Sequence, residues 1–198
     1  MGLDLNYIHG QTPLDEEEKE GLLIKTISTR EELDEFEQLN IQNAIEWVNK
    51  KTFDLDKILS EDFIKRLHIQ MFGSVWKWAG TFRKSDKNIG VLWTEIPVSL
   101  RTLLEDCKFW IANKTYPEDE ISVRFKHRLV SIHPFPNGNG RHSRLIADVL
   151  ISDGLGKTVF SWGNINIVKP GQARSEYISA LKAADNHNIN PLLIFARS

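Results

Sequence analysis

Apolar residues recur at helical spacing through most of this chain. In "STREELDEFEQLNIQNAIEWVNKK", Leu33, Phe36, Ile41, Ala44, Ile45 and Val48 make one stripe. Ser28 or Thr29 stands where a helix cap belongs, and acids crowd the first turn. In "SEDFIKRLHIQMFG", Ser60 is the cap and Phe63, Ile64, Leu67, Met71 and Phe72 form the apolar face. The same period predicts helices over about 98–113 and about 119–132. It continues over about 140–153, stopped by Gly154, then over about 171–186 and 190–197. The stretch "SVWKWAGTFRKSDKNIGVLWTEIP" breaks the period and alternates weakly around Ile89, Val91 and Trp93, which predicts a loop with a short hairpin or extended flap. Residues 1–24 read as irregular, and "SWGNINIV" as a turn or strand. The fold class is mainly α: a helical bundle with a small β-hairpin flap.

Composition narrows this picture. A chain of 198 residues suits one domain with a sizeable core. With 41% hydrophobic and 26% charged residues it reads as globular rather than disordered. The net charge of −2 gives no global field for nucleic acid or an anionic membrane. No apolar run approaches the roughly 20 residues of a membrane span. The first residues, "MGLDLNYIHG", lack the basic and apolar regions of a secretory signal, so a cytoplasmic protein is expected. A single cysteine, Cys107, excludes an internal disulfide framework and a cysteine-based zinc site.

The chemistry concentrates in "HPFPNGNGRHSRL", residues 133–145, between two helical patterns. Each glycine of "NGNG" would cost a helix interior about 1 kcal/mol against alanine. In a loop, glycine's tolerance of positive φ lets successive backbone N–H groups converge on an anion. The following helix adds its unpaired N-terminal amides and the positive end of its dipole. Arg141 and Arg144 lie three apart and share a helix face, so two guanidinium forks flank the nest. His133 supplies a base with a near-neutral intrinsic pKa. A base beside a polyphosphate site suggests transfer of a phosphorus centre to a hydroxyl. The spacing of a P-loop is absent.

The stretch "HPFPNGNGRHSR" resembles the signature of the Fic family, H-P-F-x-[D/E/N]-G-N-G-R-x-x-R. "LHIQMFGSVWKWAGTFR" resembles the family segment before its flap, and "YISALKAADNHNINPLLIFARS" the end of its mobile mystery protein B subgroup. The resemblance implies a Fic-type helical bundle, with residues 1–52 an N-terminal segment carrying an inhibitory helix and 53–198 the catalytic domain. It implies transfer of AMP from ATP to a Ser, Thr or Tyr hydroxyl of a target protein, with ATP as substrate and Mg²⁺ as cofactor. His133 would be the general base and Phe135 the buried anchor of the loop. Gly138, Asn139 and Gly140 would form the anion hole for the α- and β-phosphates, Arg141 would hold the β-phosphate, and Arg144 the γ-phosphate. Asn137 stands where the family most often has an acidic Mg²⁺ ligand, and a neutral amide attracts the ion less strongly. The flap residues Asn88, Ile89, Gly90, Val91, Leu92 and Trp93 would pair with an extended piece of the target.

Many family members are inhibited by a glutamate in the pattern [S/T]-x-x-x-E-[G/N], paired with the second arginine of the motif. Here the pattern is broken: Ser28 and Glu32 are followed by Leu33, and Glu37 has no Ser or Thr four residues before it. Glu37, in the middle of its helix, is the preferred candidate and Glu32 the other; either would meet Arg144. Two rival functions stand beside adenylyl transfer. One is phosphotransfer on the same loop, as in Doc-like relatives, whose motif carries Lys at the second glycine position; here Gly138 and Gly140 are both present. The other is a non-catalytic nucleotide-binding module, against which the intact His133 argues. No membrane or nucleic-acid partner is expected, while a regulatory partner or self-association is left open.

Overall fold

The computed structural model describes residues 12–164 and 171–198. The longer helices fall close to where the hydrophobic period puts them, whereas one short helix stands at Glu16–Glu20, inside the stretch read as irregular, and another at Leu55–Ile58, where none was expected. The helices are α1 (Glu16–Glu20), α2 (Arg30–Asn49), α3 (Leu55–Ile58), α4 (Glu61–Phe72), α5 (Ile96–Ala112), α6 (Glu118–Ile132), α7 (Asn139–Val149), α8 (Gln172–Asp185) and α9 (Asn190–Arg197). The predicted caps are in place: Thr29 Oγ1 accepts the Glu32 amide and Ser60 Oγ accepts the Phe63 amide. α7 runs on into a single π turn, Leu150–Gly154, which ends at the expected glycine.

Two neighbouring cores hold these helices. The larger joins α2, α4, α5, α6 and α7, with Ile64, Leu67, Phe72, Leu100, Phe125, Phe135 and Ile146 completely buried. Complete burial of each such side chain stabilises by about 1.5–3 kcal/mol. The smaller seats α8 and α9 on Val123 of α6 and Ala147 of α7, with Phe160, Trp162 and Tyr177 around them. α6 and α7 therefore contribute to both cores, and the loop between them lies where the two meet.

Two further expectations need correction. On α2 the buried face is Leu33, Glu37, Asn40, Ala44 and Val48, while Phe36 and Ile45 are 41% and 40% exposed. The spacing 33, 37, 40, 44, 48 is helical, but two of its members are polar, so an apolar stripe misplaces the face. Asn40 is satisfied: Nδ2 donates to the Gln70 carbonyl and Oδ1 accepts the Ser74 amide, which tie α2 to the end of α4. The second correction is the flap. Among the described residues there is no strand ladder, only an isolated bridge between Leu22 and Trp76. Residues 88–91 form bends and the chain then enters a 3₁₀ turn, Trp93–Glu95, that leads into α5. This segment is held by side chains instead: Asp86 Oδ1 accepts the Trp93 amide, and Arg83 donates to the Val91 carbonyl at 2.5 Å. "SWGNINIV" gives a 3₁₀ turn at Trp162–Asn164, and its last four residues lie outside the described part of the chain.

Candidate active site

The site begins where α6 stops. His133 takes a left-handed backbone conformation, φ 56° and ψ 58°, at the position where helices usually carry glycine. That conformation disfavours a residue with a Cβ by roughly 1–2 kcal/mol. Arg83 offsets the strain. Its Nε donates to the His133 carbonyl at 2.7 Å, one terminal nitrogen to Val91 and the other to Ser85, and its own amide donates to the Pro134 carbonyl. One buried guanidinium thus fastens the end of α6 to the flap segment. Gly90 completes the junction, since a Cβ there would stand 2.7 Å from Arg83 and 2.8 Å from the His133 side chain.

The His133 ring is buried, and Nε2 lies 3.0 Å from the Thr12 hydroxyl. Burial first, then the Arg83 guanidinium, push its pKa down to about 4. The imidazole is therefore neutral at pH 7, the form that can accept a proton.

The loop from 134 to 138 is braced from inside. Phe135 is buried and stacks on His68 at 3.8 Å between ring centroids. The Asn139 side chain accepts the Phe135 amide and donates to the Phe135 carbonyl. His68 Nδ1 accepts the Gly80 amide, so its Nε2–H donates to the Asn137 carbonyl at 3.1 Å. Gly138 turns the chain at φ 78°, where a Cβ would collide with the Phe72 ring at 2.5 Å. α7 then opens with Asn139, Gly140 and Arg141, whose first-turn N–H groups have no intrahelical acceptor.

His133 and residues 137–141 line one cavity of about 180 Å³, together with Thr12, Arg30, Val130, Arg144, Arg174 and Tyr177. Among the described residues no carboxylate lines it and four arginines do, of which Arg30 is paired with Asp34 and Arg141 with Glu37. Such a field favours an anion with several charges. The two motif arginines lie on the predicted face but have different neighbours. Arg141 lies over Phe72 and donates to Glu37 at 2.6 Å; the other Glu37 oxygen accepts Trp76 Nε1–H, also at 2.6 Å. Arg144 lies over the Tyr177 ring of α8, 5.3 Å from its centroid. The expected pairing of an α2 glutamate with Arg144 is thus replaced by a pairing with Arg141. The cause is packing: α2 lies along α4 and reaches Trp76, beside the first turn of α7, whereas Arg144 is one turn further on and faces α8. Glu32 is exposed, and its carboxylate accepts the Ser28 and Thr29 amides as a helix cap, away from the site.

Asn137 has both ends engaged: Oδ1 accepts the Gly138 amide at 2.7 Å and Nδ2 donates to the Thr12 carbonyl at 3.0 Å. No group of three or more His, Cys, Asp or Glu among the described residues could hold a metal. This donor set does not fit a magnesium ion held by protein side chains. The flap residues Asn88, Ile89, Leu92 and Trp93 are exposed, and Val91 is half-buried. Several site residues had no sequence signature. Arg83, His68 and Thr12 act through contacts with residues 50, 69 and 121 positions away. Arg174 could have been noticed, because it lies three residues before Tyr177 on one helix face.

Residues 58–151 match the Fic/DOC family. The chain is 28% identical over 164 residues to the protein adenylyltransferase Fic of Drosophila grimshawi, covering 80% of this chain and 32% of that one. It spans about a third of the length of the curated relatives it matches. Its fold is similar to that of Fic-1 (residues 134–508) from C. elegans, with a TM-score of 0.60 and 21% identity over 80% of this chain and 45% of that one. It is also similar to the BepC protein of Bartonella tribocorum with bound AMPPNP, with a TM-score of 0.66 and 16% identity over 88% and 89% of the two chains.

Proposed function

From a chain that carries a Fic/DOC family domain over residues 58–151, we propose a protein adenylyltransferase that moves AMP from ATP to a hydroxyl of a target protein. One observation carries this reading: a neutral, buried histidine shares an arginine-lined cavity with a glycine turn and a helix N-terminus. His133 Nε2 takes the proton of the incoming hydroxyl. The first-turn amides at Gly138, Asn139 and Gly140 hold the α- and β-phosphates, where charge grows as pyrophosphate leaves. Arg141 binds the β-phosphate and Arg144 the γ-phosphate. Arg174 and Arg30 add positive charge on the outer wall of the cavity. Asn137 shapes the loop through its bond to the Gly138 amide, and no step is assigned to magnesium. Residues 88–93 dock the target as an exposed, irregular edge.

Residues 1–52 form the regulatory segment and 53–198 the transferase unit. The Glu37 carboxylate occupies the guanidinium that the β-phosphate needs, so the protein is held in a low-activity state. The cavity size supports this: about 180 Å³ is smaller than the roughly 300–1,000 Å³ of ordinary small-molecule sites. The test is incubation with ATP labelled at the α-phosphate, with and without a cell lysate, for the parent protein and His133→Ala. Label on protein that disappears in His133→Ala is expected. Transfer of only a γ-label would overturn adenylyl transfer in favour of phosphotransfer, and undiminished labelling by a folded His133→Ala would remove His133 from the base position.

A further inference from the structure

Thr12 stands where an acceptor hydroxyl is needed. Its side chain is 7% exposed, and Oγ1 is 3.0 Å from His133 Nε2, within the reach a general base requires. Its carbonyl is held by the Asn137 side chain, on the loop that precedes the α7 N-terminus. It lines the same cavity as Gly138, Gly140, Arg141 and Arg144. The segment that follows it is clamped. After Thr12, Leu14 is buried. Asp15 and Glu18 then both meet the Lys87 ammonium, at 2.9 and 2.6 Å, and Ser85 donates to Asp15 at 2.7 Å. Trp78 Nε1–H donates to the Glu18 carbonyl at 3.0 Å. These contacts set the register of residues 12–18 on the surface that runs from the flap to the loop.

We propose that Thr12 is an acceptor in cis, and that the protein attaches the nucleoside monophosphate of a nucleoside triphosphate to its own Thr12. The inference rests on the adenylyl-transfer reading above. Thr12 Oγ1 gives its proton to His133 Nε2 and forms a bond to the α-phosphorus. The bond from that phosphorus to the oxygen bridging to the β-phosphate breaks, and its electron pair leaves with pyrophosphate. The product is a phosphodiester on Thr12.

The full chain, both as the parent protein and as Glu37→Gln, is incubated with ATP and Mg²⁺, digested with trypsin, and analysed by fragmentation mass spectrometry. A parallel sample contains a lysate. The N-terminal peptide ending at Lys19 carries both Tyr7 and Thr12, so fragmentation decides between them. One AMP on Thr12 is expected, at a fraction independent of protein concentration, retained in Thr12→Ser, and lost from this position in Thr12→Val and in His133→Ala. AMP on lysate proteins or elsewhere on the chain, with Thr12 unmodified, would overturn the inference and leave the transferase reading intact. A modified fraction that grows in proportion to protein concentration would overturn the cis assignment. No AMP on any protein, in either form and with lysate present, would overturn the transferase reading and this inference with it.

Discussion

At the scale of single residues, the site depends on how His133 is held. A residue with a Cβ in the left-handed region, just before a proline, needs external support, and Arg83 gives it through bonds to four backbone carbonyls. The same enclosure sets the proton chemistry. In water a histidine titrates near 6.5, whereas burial and the Arg83 charge bring His133 to about 4. The neutral base then survives into acid. The acidic limb of the kcat/KM profile of the proposed transfer is therefore expected near pH 4 rather than 6.5, because that limb reports the free protein's base. A limb near 6.5 in a Thr12-containing, fully folded protein would mean that the working histidine is not in this environment. Asn139 was expected as part of the anion hole; its backbone is well placed for that, but its side chain is spent on clipping the loop around Phe135.

Among the elements, α2 matters most. Its inner face carries a glutamate that bridges Trp76 and Arg141, so one carboxylate both fixes α2 on the bundle and neutralises a motif arginine. Glu37→Gln keeps the size and an acceptor for the Trp76 N–H, and removes the charge that holds Arg141. Transfer activity is expected to rise, by tenfold or so if about 1.4 kcal/mol of competition is relieved. Stability is expected to fall by about 1–3 kcal/mol, since a hydrogen bond to a charged partner is weakened in a largely buried place. Label incorporation and denaturant unfolding of the same preparation check both. Activity unchanged with stability reduced would leave Glu37 as a structural tie only. Glu32→Gln, by contrast, removes charge from a helix cap that is not part of the cavity lining and should leave transfer unaltered.

For the whole molecule, the junction of the two cores runs through Asp148 on α7. Its carboxylate accepts Trp162 Nε1–H at 3.0 Å and the Phe160 amide at 3.3 Å, tying α7 to the segment that covers α9. Burial raises its pKa to about 7, against the opposing pull of the Trp162 and Phe160 hydrogen bonds and of Arg144 and Arg197. Between its ordinary value of 3.8 and about 7, the folded protein holds a proton here that the unfolded chain does not. The stability this contributes is fully present below 3.8 and is lost as pH rises through about 7. His133 and His142, both lowered to about 4, act oppositely: their contribution is lost as pH falls from 6.5 through 4. Asp148→Asn isolates the first term. The stability of the parent protein relative to this variant should decline as pH rises through that interval, read from denaturant midpoints at several pH values. A constant difference would mean that Asp148 titrates as an ordinary surface acid.

The positions of the longer helices, the caps of α2 and α4, the glycine-turn loop and the face shared by Arg141 and Arg144 were legible in the sequence, while the short helices α1 and α3 were not. Each is a local property: helical period, cap chemistry and glycine's backbone freedom act within a few residues. The same local reasoning placed Glu37 on the right helix. It could not say which arginine Glu37 meets, because that depends on the packing of α2 along α4 and on how far α7 has turned when it passes. It expected a hairpin where Arg83 instead pins an irregular segment to the end of α6, a contact made across 50 positions. It saw nothing in Thr12, whose hydroxyl reaches His133 across 121 positions. A lone threonine beside a proline has no period and no motif. Only the folded chain, by clamping Asp15 and Glu18 to Lys87, brings its oxygen to the base.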